Sequence, residues 1–207
     1  MSGGFADMLK SLEAAGLRKL GAKVPSWEGL QLEVPQSLNL QQCSSEVTAR
    51  YKASLVPSGA RVADLTGGLG VDSWAFSTRA SMVWYNERDA ALRAAVQRNF
   101  AMLGVADVEF AGYDISALAA CASGASGGWR EALAAFDPDF IYVDPARRDA
   151  AGRKLFLLED CSPDVVALMP ELLELAPRVM VKVSPMADLT MLRRRLAPWL
   201  RETHVVG

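Results

Sequence analysis

Arg61-Val62-Ala63-Asp64-Leu65-Thr66-Gly67-Gly68-Leu69-Gly70 is a short apolar run that ends in an acid and opens into a glycine-rich turn. Val71 to Thr78 after it has the pattern of a helix start. A strand passing through such a turn into a helix is the opening unit of a parallel α/β sheet. Glycines let the backbone come close to a ligand, and the free amides of the next helix face it. In open α/β sheets the ligand lies beyond the carboxyl ends of the strands, where this loop sits. A packing turn without a ligand is the alternative, and the loop alone names no cofactor.

Downstream the alternation continues. Met82 to Asn86 reads as a second strand, and Ala90 to Leu103 as a helix with Leu92, Val96, Phe100 and Leu103 on one face. Asp107 to Ala111 gives a third strand. An Ala/Gly/Ser-rich stretch from Ala117 to Gly128 precedes a helix from Trp129 to Phe136 and a fourth strand from Phe140 to Val143. Pro163 to Leu175 reads as a helix, Val179 to Val183 as a fifth strand and Asp188 to Leu200 as a last helix. Thr203 to Val206 resembles the opening of a sixth strand. This order predicts an α/β fold, a Rossmann-like doubly wound and mostly parallel sheet with helices on both faces. A sequence that stops in an apolar strand suggests a domain cut from a longer protein. Its C-terminal strands would be truncated and the edge beside the fifth strand left unpaired.

Upstream the pattern is helical. Phe5, Leu9, Leu12 and Leu20, with Met8 and Leu17, recur at helical spacing before Pro25, and Pro25 and Pro35 bracket an irregular stretch containing Trp27. Ser44 or Ser45 can cap a second helix through Glu46, Arg50 and Leu55, stopped by Pro57-Ser58-Gly59. The expected division is a helical segment over 1–57 and a ligand-binding domain over 58–207.

Composition narrows the classes. Hydrophobic residues are 51% and charged residues 22% of 207, which excludes whole-chain disorder and coiled coil. Lys plus Arg is 22 against 24 for Asp plus Glu, a net charge of −2, so any polyanion must be held by local patches. Cys43, Cys121 and Cys161 lack the close spacing of a zinc or dithiol site, which suggests a reducing, cytoplasmic setting. No basic leader with an apolar stretch opens the sequence, and no apolar run is long enough for a spanning helix. His204 is the only histidine, which argues against a catalytic triad or a His-based metal site; no metal is expected.

Acids recur at the strand ends. Glu87, in Asn86-Glu87-Arg88-Asp89 after the second strand, is placed to accept both hydroxyl hydrogens of a ribose, while Asp89 suits a helix cap. Gly112-Tyr113-Asp114 adds an acid after the third strand. Asp64, Glu87 and Asp114 together suggest a nucleoside-bearing ligand. After the fourth strand, Asp144-Pro145-Ala146-Arg147-Arg148-Asp149 holds Asp144 at the mouth of the same cleft, towards the ligand's reacting end. Arg147 and Arg148 can fork onto phosphate oxygens or form a solvated pair.

This order of motifs resembles the class I S-adenosylmethionine-dependent methyltransferases, over roughly residues 45 to 206. More closely, Gln42-Cys43-Ser44-Ser45-Glu46, Thr48-Ala49-Arg50-Tyr51-Lys52, Asp64-Leu65-Thr66-Gly67-Gly68, Asp144-Pro145-Ala146-Arg147-Arg148 and Lys182-Val183-Ser184-Pro185 are similar to a bacterial methyltransferase family that continues into a C-terminal THUMP-like domain. The resemblance implies S-adenosyl-L-methionine as cofactor, held by Asp64, Thr66, Gly67, Gly68, Gly70, Asp72, Glu87, Arg88, Asp114, Ile115 and Pro145. It implies Asp144 as the catalytic residue, Arg147, Arg148 and Lys182 as substrate contacts, and an RNA substrate, since THUMP domains bind RNA. Thr66 replaces the usual first glycine of the loop. Asp144-Pro145-Ala146 lacks the aromatic residue that would stack a base, and Lys182-Val183-Ser184-Pro185 lacks a cysteine for covalent attack on a pyrimidine.

Other residues have two readings each. Lys182 could bind substrate phosphate, counter Asp144 or merely snorkel. Arg50 and Lys52 could reach the cofactor carboxylate or the substrate, or belong to a helix packed beside the sheet. Arg193, Arg194, Arg195 and Arg201 make a local basic patch or a solvated helix face. A nicotinamide-dependent oxidoreductase is the alternative enzyme, because Gly68-x-Gly70-x-x-Ser73 half-matches that fingerprint. A non-catalytic RNA-binding module is the alternative outside enzymes.

Overall fold

The computed structural model describes residues 14–116, 128–146, 161–183 and 187–206. Its centre is one five-stranded sheet, all parallel, in the order β3-β2-β1-β4-β5. The strands are β1 Arg61–Asp64, β2 Met82–Asn86, β3 Val108–Ala111, β4 Phe140–Val143 and β5 Val179–Val181. The order reverses between β1 and β4, so their carboxyl ends flank a crevice.

The helices follow from the crossovers. Residues 14–23 form α1, and a single 3₁₀ turn covers Pro25–Trp27; α2 is Ser37–Gln42 and α3 Glu46–Ser54. Then come α4 Val71–Ser77, α5 Ala90–Met102, α6 Gly128–Phe136, α7 Val165–Leu175 and α8 Leu189–Leu196. Strand residues alternate between two cores. Val62, Val83, Tyr85, Phe140 and Tyr142 pack on the α3, α4 and α5 side, whereas Ala63, Trp84, Ile141 and Val143 pack on the α6 and α7 side. A sheet buried on both faces needs near-continuous apolar strands, which is how these read.

The segment before β1 shares the first of these cores. Leu20, Val24, Trp27, Leu32, Leu40, Ala49 and Ala53 are buried in it, and Trp27 meets Trp74 of α4 edge to face at 5.4 Å. Ser45 caps α3 by accepting from the Thr48 amide at 3.3 Å. Asp89 caps α5, taking the amides of Ala91 and Leu92 at 2.9 and 3.1 Å.

Two expectations are corrected. Thr203 to Val206 is not a sixth strand: residues 201–206 are irregular and exposed, with His204 Nδ1 hydrogen-bonded to the Tyr51 hydroxyl of α3 at 2.8 Å. Local β-propensity forms a strand only where an edge offers a partner, and this segment lies against α3. The stretch between Pro25 and β1 also holds a helix, α2, that was not expected. The N-terminal helix is described only from residue 14, and the Ala/Gly/Ser-rich stretch over 117–127 lies outside the described residues.

Candidate functional site

The loop after β1 is built by close fit. Gly67 lies under the Tyr85 ring, where a Cβ would collide with the ring carbons, and the Tyr85 hydroxyl donates to the Gly68 carbonyl at 2.6 Å. Gly70, with φ of +81°, is the N-cap of α4, a left-handed conformation that a side chain disfavours. Thr66 keeps its side chain for a reason: its Oγ1 accepts from the backbone N–H of Asp144 at 2.7 Å, tying the β1 loop to the β4 loop. Asp64 is fully buried. Its carboxylate accepts from the Thr66 amide at 3.0 Å and the Ser73 hydroxyl at 2.5 Å, and burial pushes its pKa up to about 7. It lies beneath the loop and not in the cleft.

Asn86, the last residue of β2, joins the loops on either side. Its buried amide donates to the carbonyls of Leu65 and Tyr113 at 3.1 and 3.0 Å and accepts from the Tyr113 N–H at 2.8 Å. Glu87 then reaches the cleft. Its Oε2 accepts from the Gly68 amide at 3.1 Å and its Oε1 from the Asp89 amide at 2.8 Å, leaving each oxygen a further lone pair. Asp114 accepts from the Ser116 hydroxyl and amide and pairs with Arg88 at 3.4 Å; the Ser116 hydroxyl is the largest influence holding its carboxyl below the usual value.

The cleft so formed holds about 760 Å³. Thr66, Gly67, Gly68, Gly70, Asp72, Glu87, Arg88, Asp114, Ile115, Asp144, Pro145 and Lys182 line it. Asp64 does not, and Arg147 and Arg148 lie outside the described residues. Side chains from before β1 also line it: Asn39, Gln41 and Gln42 of α2, then Cys43 and Ser44. Burial pushes the Cys43 thiol up, so it stays protonated.

Under the cleft lies a buried polar row; sequence reasoning singled out Lys52, Asp72, Asp144 and Lys182 one by one and paired Lys182 with Asp144, but missed the link through Ser44 and Tyr142. Lys52 of α3 donates to Asp72 Oδ2 at 2.6 Å, the Tyr142 hydroxyl at 2.7 Å and Ser44 Oγ at 2.9 Å. Burial pulls its ammonium below the ordinary lysine value, with Asp72 opposing. Burial also raises Tyr142 far above a usual phenol, so it stays a donor, to Asp72 Oδ2 at 2.9 Å. Asp72 Oδ1 is buried with no partner among the described residues. At the far end, Lys182 pairs with Asp144 at 2.6 Å. A polar Tyr142 and Asn86 inside otherwise apolar strands were the available signals for that link; Ser44, in the turn between α2 and α3, reads from sequence only as a helix-cap candidate. Arg50 points elsewhere, to Glu46 at 2.7 Å and over the Trp74 ring at 4.9 Å.

Among the described residues the lining carries five acids (Asp72, Glu87, Asp89, Asp114, Asp144) against two bases (Arg88, Lys182), with Lys52 paired to Asp72 from behind. Among the described residues no cluster of His, Cys, Asp or Glu could hold a metal ion, and no helix is long and apolar enough to cross a membrane.

No protein-family model and no curated protein matches the chain. Solved structures do. A candidate methyltransferase from Porphyromonas gingivalis W83 superposes with a TM-score of 0.69 at 35% identity, over 84% of this chain and 40% of that one. A SAM-dependent O-methyltransferase from Thermotoga maritima gives a TM-score of 0.49 at 17% identity, over 75% of this chain and 49% of that one. The chain thus spans less than half the length of either. By fold it is a Rossmann-like, doubly wound α/β protein, and both of these solved neighbours are described as methyltransferases.

Proposed function

We propose that the chain is a methyltransferase that binds S-adenosylmethionine in this cleft and acts on RNA. The observation that carries the reading is the convergence of four strand ends on one acid-lined crevice at the β1/β4 switch point. A nucleoside bearing a sulfonium and an ammonium is cationic, which suits five acids against two bases. The residues fit the cofactor. The bare Gly67 backbone opens the loop, Glu87 suits the ribose hydroxyls, Asp114 the adenine amine, and Asp72 Oδ1 a cationic donor.

When bound, the cofactor supplies an electrophilic methyl group. The protein's own task is alignment and proton removal. Asp144 Oδ2 is held by Lys182, and Oδ1, which has no partner among the described residues, is the oxygen that takes the acceptor's proton. RNA as the acceptor rests on the resemblance to a family with a THUMP-like domain and on exposed Arg193, Arg194 and Arg201 at or just after α8, a helix whose Leu192 reaches the cleft. Cysteines in no close pairs fit a cytoplasmic setting.

Calorimetry with S-adenosylhomocysteine and with NAD tests the cofactor: binding of the first and not the second is expected, and the converse sinks the reading. For the chemistry, Asp144→Ala should bind S-adenosylhomocysteine as the parent does, yet transfer labelled methyl to unmodified in vitro transcribed RNA at least about 100-fold more slowly. Equal loss of binding and transfer would make Asp144 a residue of the cofactor site or the fold.

A further inference from the structure

Lys182 Nζ donates to Asp144 Oδ2 at 2.6 Å and to Ser44 Oγ at 3.4 Å, and its side chain is 22% exposed. Ser44 comes from the turn between α2 and α3, yet its hydroxyl is committed to the site. It donates to Asp72 Oδ2 at 2.9 Å and accepts from Lys52 at 2.9 Å and from Lys182. A hydroxyl has one proton and two lone pairs, so nothing of Ser44 is spare. The result is an unbroken row, Asp72, Lys52, Ser44, Lys182, Asp144, from the first turn of α4 to the end of β4. Two ammonium groups meet at one oxygen, and each is backed by its own carboxylate. Without that oxygen the two like charges would face each other directly, and Lys182, the less buried of the two, is the one with room to shift.

We propose that Lys182 and Ser44 are positioning residues for Asp144: Lys182 holds Oδ2, so that Oδ1 faces the acceptor, and Ser44 fixes the Lys182 ammonium. This rests on the reading of Asp144 as the proton acceptor. The other charged or titratable groups near Lys182 and Asp144 are Lys52 of α3 and Asp72 of α4 in the row itself, with Tyr142 of β4, Asp64 of β1 and Cys43 around it. Each remains in place in the variants below.

The test is a ¹³C NMR titration of the Asp144 carboxyl in the cofactor-free protein, assigned with Asp144→Asn. Lys182→Met should move that titration upward, the direction expected when an opposite charge at this distance is lost. Lys182→Arg, which keeps the charge, should restore most of the parent titration. Ser44→Ala removes one buried oxygen, leaves Lys182 present, and should shift the titration in the same direction by less. It also keeps the proposal open to refutation if Lys182→Met fails to fold. The acid limb of the methyl-transfer pH profile should move with the titration, and S-adenosylhomocysteine affinity should change by less than about threefold, under 1 kcal/mol. An unchanged Asp144 titration in Lys182→Met overturns the role of Lys182, and an unchanged titration in Ser44→Ala overturns that of Ser44. A large loss of S-adenosylhomocysteine affinity with the titration intact assigns Lys182 to the cofactor and overturns the proposal as well. Full transfer by Asp144→Ala refutes the base itself, and is told apart because the titration shift survives it.

Discussion

Glu87 carries two duties through one carboxylate. It accepts from the Gly68 and Asp89 amides, which fixes its direction, and it presents its remaining lone pairs to the cleft where the proposed ribose lies. Removing it costs the ligand a hydrogen-bonded charged partner. Glu87→Ala should weaken S-adenosylhomocysteine binding by about 1.5 to 3 kcal/mol, measured by calorimetry. Unchanged affinity would remove the ribose assignment. Its place at the end of β2 was legible because an acid after an apolar run is visible locally. The job of Thr66 was not, since its partner, the Asp144 amide, lies 78 residues away and a threonine in a glycine loop reads only as a substitution.

At the scale of elements, the polar joints between strands and helices set both stability and its pH dependence. Lys52 and Asp72 join α3 to α4 as a buried pair, and a buried charge left without its partner is costly. Lys52→Met should therefore destabilise the protein by about 3 to 5 kcal/mol in denaturant unfolding, with part of the loss recovered when Asp72→Leu is added. Asp64 joins β1 to α4 through Ser73. Its folded pKa, about 7, lies above the ordinary 3.8, so between these values the native state holds a proton that the unfolded chain has released. The contribution is fully present below about pH 3.8 and is lost as the pH rises to about 7. Asp64→Asn cannot ionise, so its melting temperature should fall less than the parent's across that window; parallel curves would show that Asp64 does not hold the proton. Elements themselves were legible where period and breaker agree: β2 and β4 lie where the sequence places them, and the Ser45 and Asp89 caps are where the helices begin. Helix α2 was not, because two leucines in six residues make no period. Nor was the failure of Thr203 to Val206 to pair, which depends on edge geometry.

For the molecule as a whole, the boundary expected near residue 57 separates sequence patterns, not packing. Asn99 of α5 binds the backbone of Glu33 through both ends of its amide, accepting at 2.8 Å and donating at 2.9 Å. Arg98 grips the Glu33 carboxylate with two bonds of 2.6 Å. The apolar residues ahead of Ser58 in this core, Leu20, Val24, Trp27, Leu32, Leu40, Ala49, Ala53 and Val56, are buried against the sheet side formed by α4 and α5. Each large one contributes about 1.5 to 3 kcal/mol by leaving water. Together they are comparable with the roughly 5 to 15 kcal/mol by which a domain is stable at all. The same segment supplies Lys52, without which Asp72 is an unpaired buried charge, and Ser44, on which Lys182 rests. A chain beginning at Ser58 should thus neither unfold cooperatively nor bind S-adenosylhomocysteine, even though it keeps all five strands and the glycine loop. Circular dichroism melting and calorimetry on that chain make the comparison. If it melts in one transition and binds with parent affinity, the N-terminal segment is an appendage, and the polar row beneath the cleft has no part in holding the site together.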